Sequence, residues 1–227
     1  MIQQDLVERL NLGLYIMGVT GGIGCGKSYS CEMLTKEAQP VGLNVKQIEM
    51  DEIRRGILGN LSGYEKVREA IAYEFGKHLL KRDGTIDRKG LGHVIFKDRD
   101  ALEEYRRIMD PAMRTELRAR ISGNQGIVLV DWGPLVEDRM LDAVNYNALL
   151  ITCEQGIQMG RISYGDLSAE EIMDRVKSQL SPEVKEKKIL EAQSKAGRGV
   201  FIKFDTTNNP SKAEYAALLE DIAVRLK

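Results

Sequence analysis

The sequence predicts an α/β fold, a parallel β-sheet with helices on both faces. Short apolar runs of strand length alternate with longer helical stretches along the chain, a pattern that implies parallel strands joined by helical crossovers. A glycine-rich turn joins the first of those strands to the first strong helix. The composition is that of an ordinary globular chain: 227 residues, 43% hydrophobic and 30% charged, with 33 Lys+Arg against 34 Asp+Glu and a formal net charge of -1. This balance excludes a disordered or fibrous chain. It also argues against a dedicated nucleic-acid binder, which carries a basic excess.

Leu14–Val19 reads as a buried strand and 26 to about 38 as a helix that stops before Pro40. Asn44–Glu49 reads as a second strand. Between Asp51 and Ser122 the pattern is helical, with breaks near Gly59–Gly63 and Lys81–Thr85. Ile127–Val130 and Ala148–Thr152 are the next strands. A helix is expected from Ser168 to about Leu180, opened by the capping box Ser168-Ala-Glu-Glu171. Val200–Phe204 is the last strand. Pro210 to Leu226 is a closing helix with an apolar face of Ala213, Ala216, Leu218, Leu219, Ile222 and Val224. Two stretches exceed a simple crossover. About 59–122 is long enough for a helical subdomain, and about 158–197 has the charge-mixed make-up of a cover. The expected organisation is one domain over 1–227, with a core of about 12–58, 123–157 and 198–227, a helical insertion and a helical lid.

The longest purely aliphatic run, Ile127–Val130, is far too short to span a membrane. The first residues, with acidic side chains and no apolar run, are not expected to be a secretory signal. Cys25, Cys31 and Cys153 include no C-x-x-C pair, and with His78 and His93 alone beside them no zinc constellation is expected. A reducing cytoplasm is the expected compartment.

The chemistry is carried by Gly21-Gly-Ile-Gly-Cys-Gly-Lys-Ser28, which matches G-x-x-x-x-G-K-[ST]. On average residue usage an accidental match is expected in about 1% of chains of this length. Its position between a strand and a helix makes accident rarer still. Gly21, Gly22, Gly24 and Gly26 let backbone N–H groups converge without Cβ atoms in the way. That nest and the helix start behind it attract phosphate. Lys27 brings a mobile positive charge to the β- and γ-phosphates, and the Ser28 hydroxyl can ligate Mg²⁺. These features predict a phosphate-loop (P-loop) NTPase core in which Gly22, Ile23, Gly24, Cys25, Gly26, Lys27, Ser28 and Tyr29 bind a nucleotide, and the loop by itself does not separate a kinase from a GTPase or an ATPase. Cys25 is either a redox-sensitive thiol at a helix start or a small residue tolerated at a variable position. No Asn-Lys-x-Asp tetrad follows the later strands, which disfavours GTP.

Residues after strand ends face the ligand in such sheets. Asp51 directly follows the second strand. If that strand neighbours the first, its carboxylate can take a proton from an attacking hydroxyl, and a helix N-cap is the equal alternative. Asp131 ends Ile127-Val-Leu-Val-Asp131, where it can hold Mg²⁺ or cap a turn. Glu137 and Asp138 fit the solvation of a helix start. Trp132 can stack on a base or fill the core. Arg114 and Arg118, four positions apart, fit pairing with surface acids.

With these residues in place, the chain resembles the dephospho-coenzyme A kinase family. Gly18-Val-Thr-Gly-Gly-Ile-Gly-Cys-Gly-Lys-Ser28 is close to the family's loop. Ile48-Glu-Met-Asp-Glu-Ile-Arg-Arg55 is similar to its Ile-Asp-Ala-Asp segment. Ile86-Asp-Arg, with Val-Ile-Phe-Lys-Asp98, resembles its Leu-Asp-Arg…Val-Phe-x-Asp stretch. Asp131-Trp-Gly-Pro-Leu-Val-Glu137 resembles Asp-x-Pro-Leu-Leu-Phe-Glu. Cys153, Gln158, Arg161, Leu167-Ser-Ala-Glu-Glu171 and Gln179 fit its cysteine and cover pattern. The order of all five is what is specific. Asp110-Pro111 stands for the family's His-Pro, Glu49 for the first acid of Asp-Ala-Asp, and Tyr164 where a second cover arginine is usual, with Arg175 or Lys177 as its possible substitute.

The resemblance implies an ATP- and Mg²⁺-dependent kinase of coenzyme A biosynthesis. Its acceptor is the ribose 3′-hydroxyl of dephospho-coenzyme A, its base Asp51, and its phosphoryl-stabilising groups Lys27 and Arg161, with Ser28 and Asp131 on the metal. For Arg114 and Arg118 it implies contact with acceptor phosphates as the alternative to surface pairing. Another nucleotide or small-molecule kinase, and a non-catalytic ATP-binding regulator, are the alternatives. Neither nucleic acid nor membrane is an expected partner.

Overall fold

The computed structural model describes residues 2–162 and 169–226. Tyr164 and the start of the predicted capping box at Ser168 lie outside them. The described residues divide into two compact units, one drawn from 1–48, 123–163 and 179–227, the other from 49–122 and 164–178.

The first unit holds the sheet. Its strands are β1 (Leu14–Gly21), β2 (Val45–Glu49, whose last residue falls in the second unit), β3 (Gly126–Asp131), β4 (Ala148–Thr152) and β5 (Phe201–Asp205). The strand order is β2-β3-β1-β4-β5, and the sheet is all-parallel. The fold class predicted from the sequence is the one found. In β1–β3 Val19 pairs with Asp131, in β1–β4 Gly21 pairs with Ile151, and in β4–β5 Thr152 pairs with Asp205. This register brings the carboxyl ends of four strands to one edge, where Gly21, Asp131, Thr152 and Asp205 stand side by side.

Every residue of β3 and β4 is buried, because helices or turns cover both faces, and a continuous apolar run is the signature of such strands. One face carries α1 (Gln4–Leu12), α2 (Lys27–Ala38) and α10 (Lys212–Arg225). Their Val7, Leu10, Leu34, Tyr215 and Ile222 join Met17, Val19, Leu129, Leu149 and Ile151 in one cluster. Each fully buried aliphatic side chain there is worth roughly 1.5–3 kcal/mol. On the opposite face Gly18 lets Leu135 and Val144 approach closely: a Cβ at that position would come within 2.6 Å of the Leu135 side chain.

One expectation is corrected here. The closing helix buries Tyr215, Leu218, Leu219, Ile222 and Ala223, whereas Ala213, Ala216 and Val224 are exposed. The stripe at i, i+3, i+4 and i+7 from Tyr215 decides which face turns inward. The first residues, for which no element was expected, form α1, whose Val7 and Leu10 are buried in the sheet's core. The helix α2 ends at Ala38, before Pro40 as expected, and the chain then tightens into a 3₁₀ turn over Gln39–Val41, since Pro is tolerated in the first turn of a new helical segment.

Unit one also contains α7 (Gln155–Arg161) and α9 (Pro182–Ala196). The second unit is helical: α3 (Met50–Leu58), α4 (Glu65–Phe75), α5 (Arg88–Ile95), the 23-residue α6 (Arg99–Ile121) and α8 (Ala169–Lys177). The predicted breaks after Leu58 and around Lys81–Thr85 are present, the latter closed by a bridge between Leu80 and Ile86. α6 packs on α3, α4 and α5 and is N-capped by Asp98, whose carboxylate accepts from the amides of Asp100 and Ala101. The buried Arg68 donates to the Ile57 and Leu61 carbonyls at 2.9 and 3.1 Å, satisfying the end of α3. Among the described residues no helix is long and apolar enough to cross a membrane.

Candidate nucleotide-binding site

The turn from β1 into α2 is built as a cradle. Gly24 and Gly26 have φ of +77° and +81°, conformations that side chains resist. At Gly24 there is also no room, because a Cβ would lie 2.7 Å from the Gln158 carbonyl. The loop is clamped by two glutamines. Gln158 of α7 donates to the Ile23 carbonyl at 2.7 Å, and the Ile23 amide donates to Gln179 at 2.9 Å. Both glutamines belong to the predicted cover, and the structure gives them one shared contact, the backbone of a single loop residue.

Lys27 opens α2, and its Nζ donates to the Gly22 carbonyl at 2.9 Å. Ser28 donates its hydroxyl to Asp131 at 2.6 Å. The β1–β3 register explains that contact, since Asp131 ends the strand beside the one that feeds the loop. Two hard oxygen donors, one of them ionisable, meet where the loop becomes a helix. This donor set fits Mg²⁺ and lacks the sulfur or imidazole that zinc prefers. Among the described residues no group of three or more His, Cys, Asp or Glu is gathered for a metal.

Arg161, last residue of α7, is fixed by the loop after β5. It donates to Thr206 Oγ1 at 2.9 Å, to the Thr206 carbonyl at 2.6 Å and to Asn209 at 2.7 Å. Its guanidinium lies 4.0 Å from where a Gly26 Cβ would be, and so stands over the loop. Tyr29, also assigned to the nucleotide, is exposed and packs edge-on against Tyr215 with ring centroids 6.1 Å apart.

Asp51 lies in the second unit, in the first turn of α3. It is 71% exposed and pairs with Arg54 at 3.2 Å. The N-cap position is Glu49, so the capping alternative for Asp51 does not hold. The strand before it neighbours β3 and not β1, so the adjacency that motivated its assignment is not the one found. The parallel sheet places a βαβ crossover between β2 and β3 without making β2 the loop's neighbour. Trp132 is core: it is 2% exposed, with its indole N–H donating to Asp138 at 2.9 Å. Arg114 pairs with Asp110 one turn away at 2.9 Å, and Arg118 is exposed.

Several site residues escaped the sequence reading. Thr20 donates to the Gly133 carbonyl at 2.7 Å, and Lys185 of α9 donates to the same oxygen at 2.9 Å. Lys185 also meets the Glu137 carboxylate at 2.8 Å, and both side chains are buried. Burial pushes the Lys185 ammonium below its ordinary range, against the pull of Glu137. Gly133 is pressed against the loop lysine, since a Cβ there would lie 3.3 Å from Lys27 Cε. Thr206 and Asn209 follow the last strand, and the rule that ligands gather at strand ends could have found them. Nothing local marks Lys185, which sits among other lysines in a charge-rich helix.

Fold and loop together define a phosphate-loop NTPase of the α/β class. Comparison with known proteins narrows this. Residues 15–193 match the family model described as dephospho-CoA kinase. A dephospho-CoA kinase of Oceanobacillus iheyensis is 32% identical over 171 residues, 73% of this chain and 81% of the relative. One from Idiomarina loihiensis is 31% identical over 168 residues, 74% of this chain and 79% of the relative. The crystal structure of TT1252 from Thermus thermophilus shares the fold at 21% identity, with a TM-score of 0.63 over 95% of this chain and 99% of that one. The chain belongs to the dephospho-CoA kinase family, and is thus a phosphotransferase and a kinase of coenzyme A biosynthesis.

Proposed function

We propose that this chain transfers the γ-phosphoryl group of ATP to the ribose 3′-hydroxyl of dephospho-coenzyme A. The observation that carries the proposal is the Ser28–Asp131 hydrogen bond at the end of β3, beside a glycine cradle that a Cβ would fill and whose Gly22 carbonyl Lys27 holds.

The loop amides and the start of α2 hold the polyphosphate. Among the described residues Lys27 donates to a loop carbonyl, and its flexible stem lets the ammonium follow the β- and γ-phosphates. Ser28 and Asp131 would hold Mg²⁺, which when bound would neutralise charge on the phosphate oxygens. Arg161 brings a guanidinium over the loop, oriented by Thr206 and Asn209, where it stabilises charge on the transferring group. Asp51 orients the acceptor hydroxyl and takes its proton. Its exposure and the family's Asp at this place in the motif support that role. The reaction belongs in the cytoplasm.

The test is ADP release with dephospho-coenzyme A as sole acceptor, set beside a panel of nucleoside monophosphates. Turnover with dephospho-coenzyme A well above the panel is expected. ATP binding without acceptor-dependent ADP release, or a preference for a monophosphate, would overturn it.

A further inference from the structure

Cys25, in the middle of the phosphate loop, and Cys153, directly after β4, have their sulfurs 3.4 Å apart although they are 128 positions apart in the chain. Neither thiol has a place in the phosphoryl transfer described above. Cys25 is 2% exposed, whereas Cys153 is half-buried. A disulfide needs an S–S distance of about 2.05 Å, so the sulfurs must close by about 1.4 Å.

We propose that Cys25 and Cys153 form a thiol–disulfide modification site whose oxidation weakens nucleotide binding. The oxidant is a low-molecular-weight aliphatic disulfide. The Cys153 thiolate, the more accessible of the two, attacks one sulfur of that disulfide. A mixed disulfide forms and one small thiol leaves. Cys25 then attacks Cys153 Sγ, forming the protein disulfide and expelling the second small thiol. The two protein thiols lose two electrons and two protons, and the small disulfide takes up both to become two thiols.

The site's surroundings connect this chemistry to the loop. The Cys25 amide closes the turn on the Gly22 carbonyl at 3.3 Å. The Cys25 carbonyl accepts from Thr206 Oγ1 at 2.9 Å. The same threonine holds two nitrogens of Arg161, and its amide donates to the carbonyl of Thr152, the neighbour of Cys153. Drawing Cys25 toward Cys153 therefore turns the peptide that sits between the cradle and Arg161. Displacements of about 1 Å in such positioning networks cost up to about a hundredfold in rate, and losing one hydrogen bond to a charged phosphate weakens affinity by about tenfold or more. By linkage, a bound nucleotide protects the pair by the same factor by which the disulfide weakens binding.

Burial and the hydrogen bond to Cys25 push the Cys153 thiol up to about 12. Its thiolate fraction, and with it the first step, rises with pH throughout the range below that value. The Arg161 charge pulls the other way and Asp205 adds to the rise.

The experiment incubates the full chain in buffers of graded oxidised and reduced glutathione. Alkylation and intact mass then read the loss of two hydrogen atoms, peptide mapping locates the link, and ATP titration reads affinity before and after dithiothreitol. Expected are a Cys25–Cys153 linked peptide, formation that accelerates with pH, ATP binding weakened by about tenfold or more and restored by reductant, and neither effect in Cys153→Ser. A stable glutathione adduct without the link, a link that leaves affinity unchanged, or equal loss of binding in Cys153→Ser would overturn the proposal. The coupling rests on the reading of Gly21–Ser28 as the ATP loop. Failure of that reading appears separately, as a reduced protein that does not bind ATP.

Discussion

Lys185 offers a test of how the site's floor is held. Its ammonium and the Glu137 carboxylate are 2.8 Å apart, with side chains 1% and 4% exposed. Glu137 also accepts from the Leu180 amide at 2.9 Å, and Lys185 shares the Gly133 carbonyl with Thr20. Replacing Lys185 by Met keeps the stem's volume and removes the charge, leaving a carboxylate buried without its counter-ion. Such a loss costs about 3–5 kcal/mol. For a chain of this size 1 kcal/mol moves Tm by about 2–4 °C, so a fall of roughly 6–20 °C is expected. The double variant Lys185→Met/Glu137→Gln removes the stranded charge while keeping an acceptor for the Leu180 amide, and recovers at least half of the loss. Urea unfolding read by the fluorescence of Trp132, the single tryptophan and a core residue of the same unit, measures both. A single variant that costs under about 1 kcal/mol, or a double variant less stable than Lys185→Met, would refute the reasoning.

Three further outcomes are expected. Lys27→Ala keeps the melting temperature and lowers kcat on the order of 10²–10³-fold, because a charge aimed at the phosphoryl oxygens is lost while no core contact is; steady-state kinetics beside thermal melts would detect any departure. Asp51→Asn lowers kcat by roughly 10²-fold or more while ATP affinity stays within a few-fold, and near-wild-type kcat would remove Asp51 from the base role. Burial alone would raise the Asp205 carboxyl, but hydrogen bonds from the Thr207 and Thr152 groups hold it below its ordinary 3.8. A depressed folded-state value means this stabilisation is complete above the unfolded value and is lost as pH falls through the folded one. Asp205→Asn should therefore be less stable at neutral pH and show a shallower loss of stability below about pH 4, measured by denaturant midpoints across that range; parallel acid profiles would contradict it.

Much of the framework is legible in linear order because its signals are local. Ala148–Thr152 reads as a strand because five buried residues in a row suit only a covered strand. The glycine turn is legible because a nest of amides demands glycine at fixed spacing. Asp98 and Ser211 cap their helices as short polar residues do. The α1 helix escapes such a reading, as its N-cap Gln3 makes no side-chain cap and only Val7 and Leu10 are buried.

What folding alone decides is which distant residues meet. The chain's order carries the strands and the loop, but the insertion of β3 between β1 and β2 sets Asp131 against Ser28 and separates β2 from the loop. Lys185 is an ordinary helix lysine until α9 lays it over Glu137, 48 positions away. Cys25 and Cys153 likewise become a pair only where loop and strand end converge. Periodicity and turn chemistry act over a few residues and are written along the chain. Burial, charge pairing and thiol proximity depend on three-dimensional neighbours, which strand order and helix packing select.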